Sequence, residues 1–170
     1  AALLAGVVAY PILSRSGDPD RIVAALESRR DESVFDELIA RGAEEAADQH
    51  GLDVEVVQPP FTDVAKDLRV AADGASLVFA GFRMRSMLLD MADEFPDTTF
   101  VLIDADDAPL TNTVAVAFAS EQGSYLVGAA AALESTTGKV GYIGANASPL
   151  IEAFRAGFEQ GAEAAVPEVE

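Results

Sequence analysis

The residue types that most enzymes need are scarce in this chain. Cysteine is absent and there is one histidine, His50, beside Gly51. A serine hydrolase places GxSxG at a strand-to-helix turn and adds a usable imidazole. No GxSxG occurs, and His50 reads as a solvent-facing residue at a helix end. Phosphate chemistry calls for GxxxxGK[ST] or GxGxxG between a strand and a helix, because only glycine lets backbone N–H groups close on oxyanions. Neither pattern is present, and the Gly138-Lys139 pair precedes a predicted strand instead of opening a helix. A phosphoacceptor domain would carry an Asp after the third strand and a Lys after the fifth, where this sequence has Gly81 and Ala119. The DADD cluster from Asp104 to Asp107 offers oxygen ligands to a hard cation, but no further carboxylates lie nearby in sequence, so it reads as a turn. No catalytic residue, metal site or cofactor is expected.

The elements that would position any site follow from the spacing of apolar residues. Short β-branched runs alternate with longer amphipathic ones, the mark of repeated βαβ units around a parallel sheet. RIVAAL (Arg21 to Leu26) is the first predicted strand, and Val34, Leu38, Ile39, Ala43, Ala46 and Ala47 trace a helix from about Ser33 to Gln49, stopped at His50-Gly51. VEVV is the second strand; Asp63 caps a helix through Ala72; Leu77 to Ala80 form the third strand. RMRSMLLDMADEF is a helix stopped by Pro96, TTFVLID a fourth strand ending at Ile103, and TVAVAF a fifth. EQGSYLVGAAAALES is apolar almost all round and is expected to be buried. A sixth strand is predicted from Lys139 to Ile143, followed by a helix over SPLIEAFRAGFEQGAEA, and VPEVE resembles the lead into another strand.

In open parallel sheets, ligands bind beyond the carboxyl ends of the strands. That rule selects Glu27 to Asp31 and Phe35 after strand one, Gly81 and Phe82 after strand three and Asp104 after strand four. It adds Ser120 and Glu121 after strand five, and Gly144 and Asn146 after strand six.

Length and charge bound the rest. The 170 residues suffice for one ordinary domain with a real core, and 50% of them are apolar, which suits packed α/β layers. Eleven Lys and Arg against 29 Asp and Glu leave a net charge of −18, so a nucleic-acid phosphate backbone would be repelled. The opening run AALLAGVVAYPIL begins without Met and is too short for a complete transmembrane helix. It is expected to be the tail of an anchor or the apolar region of a signal sequence, with upstream residues missing; a buried strand or short helix is the alternative.

Three stretches resemble the basic membrane protein family, the PnrA-like nucleoside-binding lipoproteins of ABC importers. They are DESVFDELIARGAEEA, FAGFRMRSMLLDMADEFPDTTFVLID and FASEQGSYLVGAAAALESTTGKVGYIGANASPLIEAFRAGFEQGA. The last is similar to the family's E-x-G…A-A-A…T-G-K-V-G pattern over a long span. The resemblance runs from about Ile22 to the end. It implies a type I periplasmic-binding-protein fold: residues 1–20 a membrane-proximal apolar segment and linker, 21–137 the N-terminal lobe, and 138–170 the first βα unit of an incomplete second lobe. It also implies an extracytoplasmic receptor, anchored at the cell membrane through its N-terminus, that delivers a purine nucleoside or similar planar solute to ABC permease subunits. A ligand-sensing regulatory module on the same fold is the alternative.

By motif, Phe35 would stack on the base, Asp36 would stand where the family has Asn, and Asp104 would hydrogen-bond the base edge. Gly81, Phe82, Glu27 and Asn146 complete the expected ligand-binding set. The family's Asp-x-Gly-Gly after strand one is replaced by Glu27-Ser28-Arg29-Arg30, a bulkier and more charged loop.

Overall fold

A computed structural model of the protein describes residues 18–60 and 63–170. The apolar run expected near a membrane lies outside the described residues. Five strands, β1 (Asp18–Ala25), β2 (Asp53–Val57), β3 (Ala75–Gly81), β4 (Thr99–Ile103) and β5 (Thr113–Val116), form one sheet in the order β2-β1-β3-β4-β5. Every pairing is parallel. Helices α1 (Val34–His50), α2 (Val64–Ala72) and α3 (Arg85–Glu94) connect them, and a 3-10 turn, Phe82–Met84, leads into α3. The expected doubly wound α/β architecture is therefore present.

Parallel strands covered on both faces must be apolar throughout, and Ile22 to Leu26 are all buried. Around them Val78, Leu68, Leu88, Met91, Phe100 and Leu102 pack as one core. Each large aliphatic side chain withdrawn from water there contributes about 1.5–3 kcal/mol. The helices start and stop where their caps dictate. Ser33 accepts from the Asp36 N–H at the start of α1, and Gly51 adopts the left-handed conformation, φ 68°, that ends it. Asp63 caps α2 in the same way through the Lys66 N–H.

The chain divides into two compact units, the first ending at Ala117 and the second spanning Phe118–Glu170. The second holds α4 (Ser120–Glu134) and α5 (Pro149–Ala165), which pack on each other. The sequence reading grouped α4 with the first lobe; its contacts group it with α5. Three glycines bring the two backbones together. A Cβ on Gly128 would lie 2.0 Å from the Phe158 carbonyl oxygen, one on Gly157 2.2 Å from that of Glu121, and one on Gly161 1.9 Å from that of Tyr125. The Ser124 hydroxyl donates to the Phe154 carbonyl across the same seam at 2.6 Å.

Two expectations fail in this unit. The apolar helix α4 is not buried all round: Ser124, Gly128 and Ala132 are, whereas Leu126, Val127 and Leu133 are exposed. One helix covers only one stripe of another, and α5 is the element packed against α4 within the unit. The strand predicted from Lys139 to Ile143 is also missing, and Ile143 is 98% exposed. Extended chain becomes a strand only when its backbone groups find a ladder partner. Here Glu170 supplies one step of it, donating to the Gly138 carbonyl and accepting from the Val140 N–H. Those two bonds together make a single parallel bridge opposite Lys139.

Candidate functional site

The register of the sheet brings several expected residues to one end of it. Ala25 pairs with Ala80, and Gly81 pairs with Ile103, so the chain leaving β1, the tip of β3 and Asp104 after β4 sit on three adjacent strands. Adjacent strands are about 4.8 Å apart, which keeps these residues within the span of a small flat molecule.

Glu27, Phe35 and Gly81 meet directly. A Cβ placed on Gly81 would lie 2.7 Å from Glu27 Oε1 and 3.2 Å from Phe35 Cε1. The glycine thus leaves the space that lets a ring from α1 and an acid from the β1–α1 loop close over the tip of β3. Phe35 keeps 37% of its surface open and Phe82, the first residue after β3, keeps 38%. An exposed ring at a helix start carries apolar area that a planar solute can cover, with about 0.5–1.5 kcal/mol of stacking beyond area burial.

Asp36 has a different place. It is 2% exposed, and its Oδ1 accepts the Glu27 main-chain N–H at 2.9 Å. The carboxylate therefore ties the β1–α1 loop to the first turn of α1, next in sequence to Phe35. Asn and Asp share the acceptor oxygen that this bond requires, so an Asn here could make the same bond.

The same loop is held from its outer side. Arg30 reaches Glu37 at 2.6 Å and Glu44 at 2.5 Å, two carboxylates two turns apart on α1, while its own N–H donates to Gln58 Oε1 at 3.2 Å. The guanidinium fork suits such a double grip better than an ammonium would. Arg29 pairs with Asp31 within the loop. The charged residues Arg29, Arg30 and Asp31 thus produce a loop pinned to the helix.

Asp104 is the residue with positive φ among the described non-glycine residues, at 64°. Its N–H donates to the Val116 carbonyl at 2.8 Å, so the strained turn is held by β5. The half-buried side chain has neither a hydrogen bond nor an ion pair among the described residues, and burial raises its carboxyl above the ordinary value. A non-glycine residue held in this conformation is uncommon and worth a functional hypothesis. Its neighbour Asp107 is engaged by Arg85 at 2.5 Å, so the acidic cluster is already partly neutralised.

Asn146 belongs to the second unit, where it is exposed in the loop before α5. That unit has a groove of about 800 Å³ between α4 and α5, lined by Glu121, Gln122, Tyr125, Leu126 and Gln160 among others. Sequence reasoning missed Arg83. Its main-chain N–H donates to Glu27 Oε1 at 3.0 Å, and its Nε lies 3.3 Å from Glu27 Oε2. The only signal for it was its place two residues after a strand-tip glycine.

Comparisons with known proteins agree with this architecture. A family model described as ABC transporter substrate-binding protein PnrA-like matches residues 20–170. Basic membrane protein A of Borreliella burgdorferi is 26% identical over 148 residues, which cover 84% of this chain and 44% of that protein. Basic membrane protein B of the same organism is 35% identical over 116 residues, or 65% of this chain and 34% of that one. Among solved structures, an ABC transporter solute-binding protein from Conexibacter woesei superposes with a TM-score of 0.64 at 27% identity, covering 88% of this chain and 52% of the other. The chain thus spans roughly half, or less, of the length of the proteins it matches.

Proposed function

This chain belongs to the PnrA-like family of ABC transporter substrate-binding proteins, and on that premise we propose that it binds a planar solute, a purine nucleoside or close analogue, and releases it unchanged. The family is one of binding proteins, not of enzymes. The observation that carries the ligand class is the convergence of the Phe35 ring and the Glu27 carboxylate on Gly81, with the Asp104 carboxylate, which has no partner among the described residues, one strand away. A ring supplies stacking, and carboxylates accept from the N–H and O–H donors at the edge of a base or on a sugar. Phe82 extends the apolar floor. Asp36 supports the site by holding the loop.

In this reading the whole protein closes two lobes on the solute by hinge motion and presents the closed form to ABC permease subunits. Residues 1–20 anchor it at the extracytoplasmic face of the cell membrane. Among the described residues no helix is long and apolar enough to cross a membrane; the anchor of this proposal rests on the apolar run AALLAGVVAYPIL.

Titration calorimetry with inosine, guanosine and adenosine tests the assignment. Replacing Phe35 or Asp104 by Ala is expected to weaken binding about tenfold or more, equivalent to about 1.4 kcal/mol. Unchanged affinity in both variants would remove the assignment of this site.

A further inference from the structure

Glu27 has only 12% of its side chain exposed. Burial raises its carboxyl above the ordinary value; the Arg83 charge and the main-chain N–H groups of Arg83 and Met84 oppose that, and the nearby Asp36 charge adds to it. The two cations of its own loop are engaged elsewhere, Arg29 by Asp31 and Arg30 by Glu37 and Glu44, and Asp36 is a like charge whose oxygen is taken by the Glu27 N–H. The compensation comes from another connection of the sheet, the turn after β3. There Arg83 meets both carboxylate oxygens, one through its main-chain N–H and the other through Nε. The Arg83 side chain is otherwise 73% exposed, so it covers Glu27 from the solvent side without burying itself.

We propose that Arg83 is a positioning residue for solute recognition: by gripping Glu27 at both oxygens it fixes a hydrogen-bond acceptor beside the Phe35 ring, for the N–H or O–H donors of a stacked solute. The proposal rests on the ligand class argued in the preceding section. It joins the β1–α1 loop to the β3–α3 turn through one ion pair, so the ring and the acceptor hold a fixed separation before solute arrives. Preorganisation of this kind lowers the ordering cost of binding. It also separates two roles that a charge-removing substitution would otherwise confuse: the N–H bond from Arg83 survives any change of its side chain, and the Nε contact does not.

The test uses the full chain, with NMR-detected titration of inosine and, without solute, of the Glu27 side-chain carboxyl in wild type, Arg83→Gln, Arg83→Lys and Glu27→Gln. Arg83→Gln is expected to weaken inosine binding about fivefold or more near pH 7, and to move the acid limb of its pH profile upward, because Glu27 takes up a proton more readily once its countercharge is gone. Arg83→Lys keeps the charge and is expected to stay within about twofold of wild type. Glu27→Gln should bind as weakly as Arg83→Gln but without that shifted limb. In the solute-free protein, Arg83→Gln should raise the titration of the Glu27 carboxyl. Wild-type affinity and pH profile in Arg83→Gln, or a Glu27 titration that does not move, overturns the proposal. If wild type shows no response to inosine, the ligand reading and the recognition role fall together, while the carboxyl titration still decides whether Arg83 holds Glu27.

Discussion

In the sheet unit, Leu88, Met91, Phe100 and Leu102 fill space between strands and helices with side chains. In the α4–α5 pair, Gly128, Gly157 and Gly161 leave side chains out so that one backbone can lie on the other. The two regions respond differently to change. A filled core loses stability when atoms are removed, through lost transfer energy and the cavity left behind, whereas a glycine seam loses it when atoms are added, because a carbonyl group has no rotamer into which to retreat. The difference also bears on the candidate site. Gly81 behaves like a seam glycine, but what it admits is the carboxylate end of Glu27 and the edge of Phe35, two side chains instead of a backbone.

The sharpest way to break this comparison is to substitute in both regions and measure chemical denaturation. Gly161→Ala is expected to cost about 3 kcal/mol or to part the helices outright, because a Cβ there would sit against the Tyr125 carbonyl. Leu102→Ala in the filled core should cost about 3 kcal/mol as well. A Gly161→Ala protein as stable as wild type would mean the seam is looser than described. Asp36→Ala comes next, at about 2 kcal/mol, since it strips the Glu27 N–H of its acceptor; Asp36→Asn, which keeps an acceptor oxygen, should recover most of that.

A smaller effect is expected at Asp104. Its carboxyl is raised by burial, so the folded state holds that proton more tightly than the unfolded state does. This group's contribution to stability therefore grows as pH falls through the raised value, and levels off below the ordinary carboxylate range. Asp104→Asn removes the penalty of a desolvated charge. Its melting temperature near pH 7 should exceed that of wild type by about 2 °C, with the difference shrinking as the buffer is taken toward pH 4, near the ordinary carboxylate value. A difference independent of pH would assign the gain to the backbone at φ 64° instead. Smallest of all, Gly42→Ala on α1, where a Cβ would meet nothing within 4 Å, should stabilise by about 0.7 kcal/mol through helix propensity alone. Set beside Gly161→Ala, the same substitution then has opposite signs in the two units.

Much of the sheet unit was legible from residue order. Apolar runs too short for helices marked the strands, and Ser33, Gly51 and Asp63 marked helix ends through local chemistry that needs no tertiary partner. The candidate site was legible in part: Glu27, Gly81, Phe82 and Asp104 stand at strand ends by connectivity, and Phe35 follows from the same loop. What these residues do to one another was not. Asp36, expected among the binding groups, is buried and accepts the Glu27 N–H. Arg83, the first residue of the predicted helix RMRSMLLDMADEF, meets Glu27 from 56 positions away.

The second unit shows where local pattern runs out. The composition of α4 suggested burial on every side, yet burial is set by what lies opposite, and Leu126 and Val127 are exposed. Residues 139–143 have the composition of a strand but only the bridge to Glu170 as pairing. Periodicity, caps and chain connectivity, properties of neighbouring residues, were settled by the sequence alone: the succession of strands and helices, the parallel sheet they imply and the loops that must carry a site. Tertiary structure alone decided which acid became a tie and which an acceptor, which glycine admits a backbone and which a side chain, and whether an extended segment pairs. Each of those depends on the partner across the gap, and the partner is fixed only when distant parts of the chain meet.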